Sequence, residues 1–209
     1  MRHPKADADA QRAFREKIEQ YEADGRSIVY IDESGLATDM PRTHGYAPKG
    51  SRCVGTYDWH ARGRINVSSA LLAGTLLSIG GTEAHVDADT FNLWLVGDLL
   101  PKRLPAAVLV MDRATFHRRA DMRAAIVEAG HTLQYLPADS PYLNDIEHKW
   151  ADAKAYRRKT GQTVAQIFSN KNKTKIESSG YSRSSAEKPG PVRWPMAVVS
   201  DASPPRVIW

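Results

Sequence analysis

With 209 residues, 42% of them hydrophobic, and one cysteine, the chain can bury one good core with some excess, not two full domains, and can close no internal disulfide. No apolar run approaches a membrane span and the first 25 residues are too charged for a signal peptide, which points to a cytoplasmic protein with no membrane partner. Of the net charge of +5, +4 falls in residues 171 to 193, so the remainder is near neutral and the overall field argues only weakly for nucleic-acid binding.

In chain order, Phe14, Ile18 and Tyr21 fall on one helical face that stops at Gly25, an amphipathic N-terminal helix within 1–26. Ser27 to Ile31 is an apolar strand closed by Asp32. A polar excursion rich in Pro and Gly follows from Thr38 to Gly50, with extended structure expected again around Arg52 to Tyr57 and a loop over 58–63. Arg64 to Leu72 and Thr75 to Ile79 read as two strands joined at Gly74, short enough to be antiparallel neighbours. His44, Cys53 and His60 fit no zinc spacing.

The second half alternates strand and helix. Asp89 can cap a helix that buries Phe91, Trp94, Leu95 and Leu99 and stops at Pro101. Ala106 to Met111 is a second apolar strand, closed by Asp112, and Met122, Ala125, Ile126 and Ala129 mark a helix ended by Gly130. His131 to Leu136 is another strand. Two prolines then keep the chain irregular until Asn144, and Ile146, Trp150 and Ala153 open a helix carrying Glu147 in its first turn. Strands first and βα alternation afterwards predict an α/β fold with a mixed sheet flanked by helices. The signal fades from Val164, and Ser169 to Pro191 has the composition of a disordered tail. The chain contains neither a Gly-x-Gly-x-x-Gly nor a phosphate-loop motif that would argue for a nucleotide cofactor.

Strands that are apolar on both faces are central, and functional groups gather where such strands end. Asp32, Asp112 and Glu147 are therefore candidates for one shared site. Like charges in proximity raise one another's pKa unless a cation neutralises them, and Mg²⁺ prefers such hard oxygen donors. Each acid also has a structural alternative: Asp32 and Asp112 as turn residues, and Glu147 as the second member of an Asn144-x-x-Glu147 capping box.

The segments Tyr30 to Gly35, Gly45 to Gly50, Met111 to His117 and Ser140 to Trp150, with the 34 residues that separate Asp112 from Glu147, resemble the mariner superfamily of DDE transposases in its bacterial insertion-sequence branch. The likeness covers about residues 3 to 168. It implies a ribonuclease-H-like mixed five-stranded sheet over 27–163, followed by a non-family tail over 164–209. It also implies two Mg²⁺ ions, replaceable by Mn²⁺, held by Asp32, Asp112 and Glu147 as catalytic and metal residues. The implied reaction is hydrolytic cleavage of transposon ends followed by attack of the 3′-hydroxyl on target DNA, commonly at TA, without a covalent enzyme intermediate.

Implied partners are DNA, at transposon ends and target, and either a second copy or a transposase part bearing helix-turn-helix modules, in the bacterial nucleoid. Lys149, Lys154, Arg157, Arg158 and Lys159 are candidate phosphate contacts on the Glu147 helix, or else solvated charge. Trp150 is expected in the core, and His117 and His148 in local or DNA-contacting roles. Arg113 stands where the family carries Asn, and Ala138, Asp139, Tyr142 and Asp145 depart from the family's loop. The family's helix-turn-helix modules do not precede the helix at Phe14, which suggests a second reading frame joined by frameshifting or a truncated copy. The alternatives to a transposase core are a metal-dependent nuclease on the same fold and a decayed remnant that binds DNA or a transposase.

Overall fold

A computed structural model describes residues 7–39, 46–54, 63–102 and 104–169, and the backbone of 207–208. Helix α1 (Ala8–Ala23) is capped by Asp7, whose carboxylate accepts from the Asp9 and Ala10 N–H groups. Strands β1 (Ile28–Ala37), β2 (Arg64–Leu72) and β3 (Thr75–Thr82) form an antiparallel meander, as the apolar runs and Gly74 predict. Ala73 and Gly74 both take positive φ, 46° and 82°, which suits the two-residue hairpin turn. Helix α2 (Ala88–Trp94) continues through a π turn (Leu95–Leu99) and a 3₁₀ turn (Leu100–Lys102). After it come β4 (Val108–Met111), a 3₁₀ turn (Thr115–Arg118), α3 (Ala120–Glu128), β5 (Thr132–Tyr135), a 3₁₀ turn (Pro141–Leu143), α4 (Ile146–Thr160) and α5 (Val164–Phe168).

The sheet order is β5-β4-β1-β2-β3, with β1 central, antiparallel to β2 and parallel to β4. This is the expected mixed five-stranded sheet. A two-residue strand β6 (Val207–Ile208) adds to the β3 edge beside Gly81 and Thr82.

Strand alternation sorts the helices. Val29, Ile31, Leu109 and Met111 face α2 and α3, burying Phe91, Trp94, Met122 and Ile126. Ile28, Val108 and Val110 face α1 through Phe14 and Ile18. Leu36 and Val67 face α4 and α5 through Ile146, Trp150, Ile167 and Phe168. Gly80 permits the close seat of Trp94, since a Cβ there would meet Trp94 Cδ1 at 2.5 Å.

Three local expectations are corrected. Strand β1 does not stop at Asp32 but runs to Ala37, because β2 pairs with it from Val29 to Ala37 while β4 pairs only as far as Tyr30. The cap of α2 is Asp87, whose Oδ1 accepts from Thr90 N at 2.8 Å, and not Asp89. The ordered domain also extends past 163: Thr163 and Gln166 form a capping box, and α5 buries Val164, Ile167 and Phe168. The described parts of the excursion and the segment after it, 38–39 and 46–54, contain no strand, and residues 40–45 and 55–62, with His44, His60 and most of the tail, lie outside the described residues.

Candidate active site

Asp32 sits where β1 leaves its parallel partner and continues beside β2 alone. By alternation it shares a face with Tyr30 and Leu36, toward α4. There the Trp150 indole Nε1–H donates to Asp32 Oδ2 at 3.0 Å. Trp150 is buried as expected, edge-on to Phe168, but it is also a hydrogen-bond donor to the site. Burial, then the charges of Glu33 and Glu147, push the Asp32 pKa up to about 7.

Glu147 lies in the first turn of α4 and is exposed. The capping box that would have occupied it does not form among the described residues. Asn144 instead donates its Nδ2 to the Ile31 carbonyl at 3.2 Å, tying the loop before α4 to the residue preceding Asp32. The loop is held from its other side as well: Gln11 of α1, which is buried, donates to Ser140 Oγ at 2.9 Å.

Asp112 follows the last residue of β4 and is half exposed, at 52%. Its Oδ1 accepts from Ala114 N at 2.8 Å and pairs with His117 Nδ1 at 2.7 Å. The other His117 nitrogen, Nε2, meets Glu33 Oε1 at 3.3 Å. His117 is fully buried between Phe91 and Phe116, with centroid distances of 4.5 and 4.2 Å. Burial disfavours its charged form, but the bonds and charges of Asp112 and Glu33 outweigh that and push its pKa up to about 9. The His117 bond is in turn the main reason the Asp112 carboxyl sits below its usual range.

Asp32 and Glu147 are thus coupled across the β1–α4 face, while Asp112 joins the site through His117 and Glu33. Glu33 was missed by sequence reasoning; the signal available was its position in β1, one residue from Asp32 and so on the opposite face. Among the described residues, no three His, Cys, Asp or Glu side chains are gathered closely enough to hold a metal ion as they stand. The donor chemistry nevertheless fits a hard divalent cation. Asp32 carries uncompensated carboxylate repulsion, and no hydrogen bond among the described residues engages Asp112 Oδ2.

Two expected phosphate contacts are not on the surface. Lys149 and Arg157 are buried, and Arg157 donates to the carbonyls of Ala37, Thr38 and Gln162, fastening the end of β1 to α4. Lys154 and Arg158 are half-buried and Lys159 is exposed. Arg113 is exposed and lines a 240 Å³ cleft with Asp112, Pro137 and Asp139.

A family model described as DDE superfamily endonuclease matches residues 27–167, most of the chain. The chain belongs to that family. This DDE domain is also similar in fold to solved structures of Mos1 transposase. It matches the Mos1 paired-end complex with left transposon end at 16% identity and a TM-score of 0.59, over 71% of this chain and 47% of that one. The Mos1 mariner paired-end complex with Mn matches at 14% and 0.58, over 71% and 48%. The catalytic domain of Mos1 mariner transposase matches at 11% and 0.55, over 85% of this chain and 92% of that one. The DDE domain therefore spans about half the length of the transposase chains in those complexes. No curated protein sequence matches it.

Proposed function

We propose that this DDE domain is the catalytic core of an insertion-sequence transposase that cleaves transposon ends and joins their 3′-hydroxyls to target DNA, with Asp32, Asp112 and Glu147 as its catalytic carboxylates. The observation that carries the proposal is the placement of Asp32, buried and facing the charges of Glu33 and Glu147, beside an Asp112 fixed at the end of the neighbouring parallel strand; burial first, and then those charges, push the Asp32 pKa up to about 7. Asp32, Asp112 and Glu147 would hold two Mg²⁺ or Mn²⁺ ions. When bound, such ions neutralise the carboxylates and activate water or hydroxyl for in-line attack on a phosphodiester.

The chain's own residues do the positioning. Trp150 orients Asp32 through Oδ2. His117 and Ala114 N–H orient Asp112 through Oδ1, and the Asn144 to Ile31 bond sets where α4, and hence Glu147, begins. End recognition belongs to helix-turn-helix modules outside the DDE domain, the target is a TA step, and the setting is the bacterial nucleoid. Among the described residues, no helix is long and apolar enough to cross a membrane.

The test is nicking and strand transfer on supercoiled plasmid in Mg²⁺ or Mn²⁺, with a pre-cleaved oligonucleotide donor and Glu147→Gln as control. Glu147-dependent joining is the expected result. Cleavage without joining would reassign the domain to a nuclease on the same fold, and neither reaction from a folded wild type would overturn the catalytic assignment.

A further inference from the structure

Between β4 and β5 the described surface carries three arginines without an ion-pair partner. Arg113, Arg118 and Arg123 are exposed, and no hydrogen bond or ion pair engages any of their guanidinium groups among the described residues. Asp89 and Asp121 both pair with Arg119 instead. The three sit around Tyr135. Its hydroxyl donates to the His117 carbonyl at 2.6 Å, which fixes the turn bearing Arg118. Arg123 lines an open groove with Tyr135 between α3 and β5, the outermost strand on that side of the sheet. Burial raises the Tyr135 pKa, and the charges of Arg123, Arg118 and Arg113 all act against that rise.

We propose that this face, running from Arg113 beside Asp112 through Arg118 to Arg123, binds the backbone of duplex DNA where it passes the carboxylate centre. Guanidinium groups match phosphate oxygens in a bidentate manner, and unpaired cations on an exposed face meet a polyanion without first breaking internal ion pairs. Position favours DNA over an acidic protein, because the face starts at the residue following Asp112. It is also more open than the cations of α4, of which Lys149 and Arg157 are buried and Lys154 and Arg158 half-buried. Contacts of this kind fix the register of a duplex and carry no sequence information. The inference rests on the DNA-processing reading above.

Binding of the full chain to a labelled duplex of arbitrary sequence is measured in EDTA over a range of salt. Wild type is compared with Arg118→Gln/Arg123→Gln and with Arg158→Gln/Lys159→Gln. The first pair should lower the slope of log affinity against log salt by about 1.8, at about 0.9 for each phosphate no longer neutralised. The second pair should lower it less. An unchanged slope in the first pair, or no binding by wild type, overturns the assignment, as does equal competition by polyglutamate. All four side chains reach the surface, so the melting temperatures should match. A wild type that nicks DNA while the slope is unmoved removes this face and leaves the catalytic reading. Arginine-dependent binding by a chain that never nicks does the reverse.

Discussion

His117 stands between two carboxylates, one in β1 and one just after β4, with Nδ1 2.7 Å from Asp112 Oδ1 and Nε2 3.3 Å from Glu33 Oε1. One imidazole therefore ties the end of β4 to β1 at the residue beside Asp32. Both ring nitrogens face acceptors, so the imidazolium is the form that satisfies the arrangement. The interaction links the placement of Asp112 to stability.

The first prediction is a loss of stability in mild alkali that depends on His117. Its folded-state pKa of about 9 lies above the 6.5 of a free imidazole. The stabilisation is thus complete below about pH 6.5 and is lost as pH rises through about 9. At most it amounts to about 3 kcal/mol, from about 1.4 kcal/mol per pKa unit. Urea midpoints should fall over that window for wild type and much less for His117→Gln. Parallel profiles for the two proteins would show that His117 is neutral in the folded state.

Asp32 makes the opposite contribution. Its pKa is raised from 3.8 to about 7, so the folded state holds its proton more tightly than the unfolded chain does. Stability unaffected below pH 3.8 is therefore eroded as pH climbs toward 7 and stays reduced above it. Asp32→Asn removes the ionisation at nearly constant shape and should stabilise the protein at pH 8 by up to about 4 kcal/mol. The same substitution should abolish both cleavage and any rise in melting temperature on adding Mn²⁺. A variant less stable than wild type at that pH would mean that Asp32 is not held against Glu33 and Glu147.

Local pattern made much of this legible. The hairpin of β2 and β3 could be read because its apolar runs and its turn residue Gly74 are contiguous, and α3 because Gly130, with φ 80°, ends it. The placement of Asp112 just after β4 and of Glu147 in the first turn of α4 could be read because each lies in a compact motif at the end or start of an element. What escaped depends on residues far apart in sequence. The continuation of β1 through Glu33-Ser34-Gly35 looks polar in isolation and becomes a strand because Val67, Asn66 and Ser68 arrive to pair with it. The bridge from Glu33 to His117 needs both that pairing and the alternation of faces. Asp87 and Asp89 offer the same cap chemistry two residues apart, and only the packing of Phe91 and Trp94 chooses between them.

Arg157 is the remaining case, and the one where charge misled. On α4 it looks like a phosphate contact, but it is buried and donates to the carbonyls of Ala37, Thr38 and Gln162. Burial lowers its pKa from the free value, the mark of a cation taken out of water. Three carbonyls share one planar fork, which an ammonium on a flexible stem cannot replace. Arg157→Lys should therefore cost about 2 to 4 kcal/mol, as carbonyls lose charged donors inside the fold. It should leave the salt dependence of DNA binding unchanged at temperatures where the variant is folded. Urea unfolding and binding over a range of salt separate the two roles. Full stability with a reduced salt slope would return Arg157 to the DNA interface.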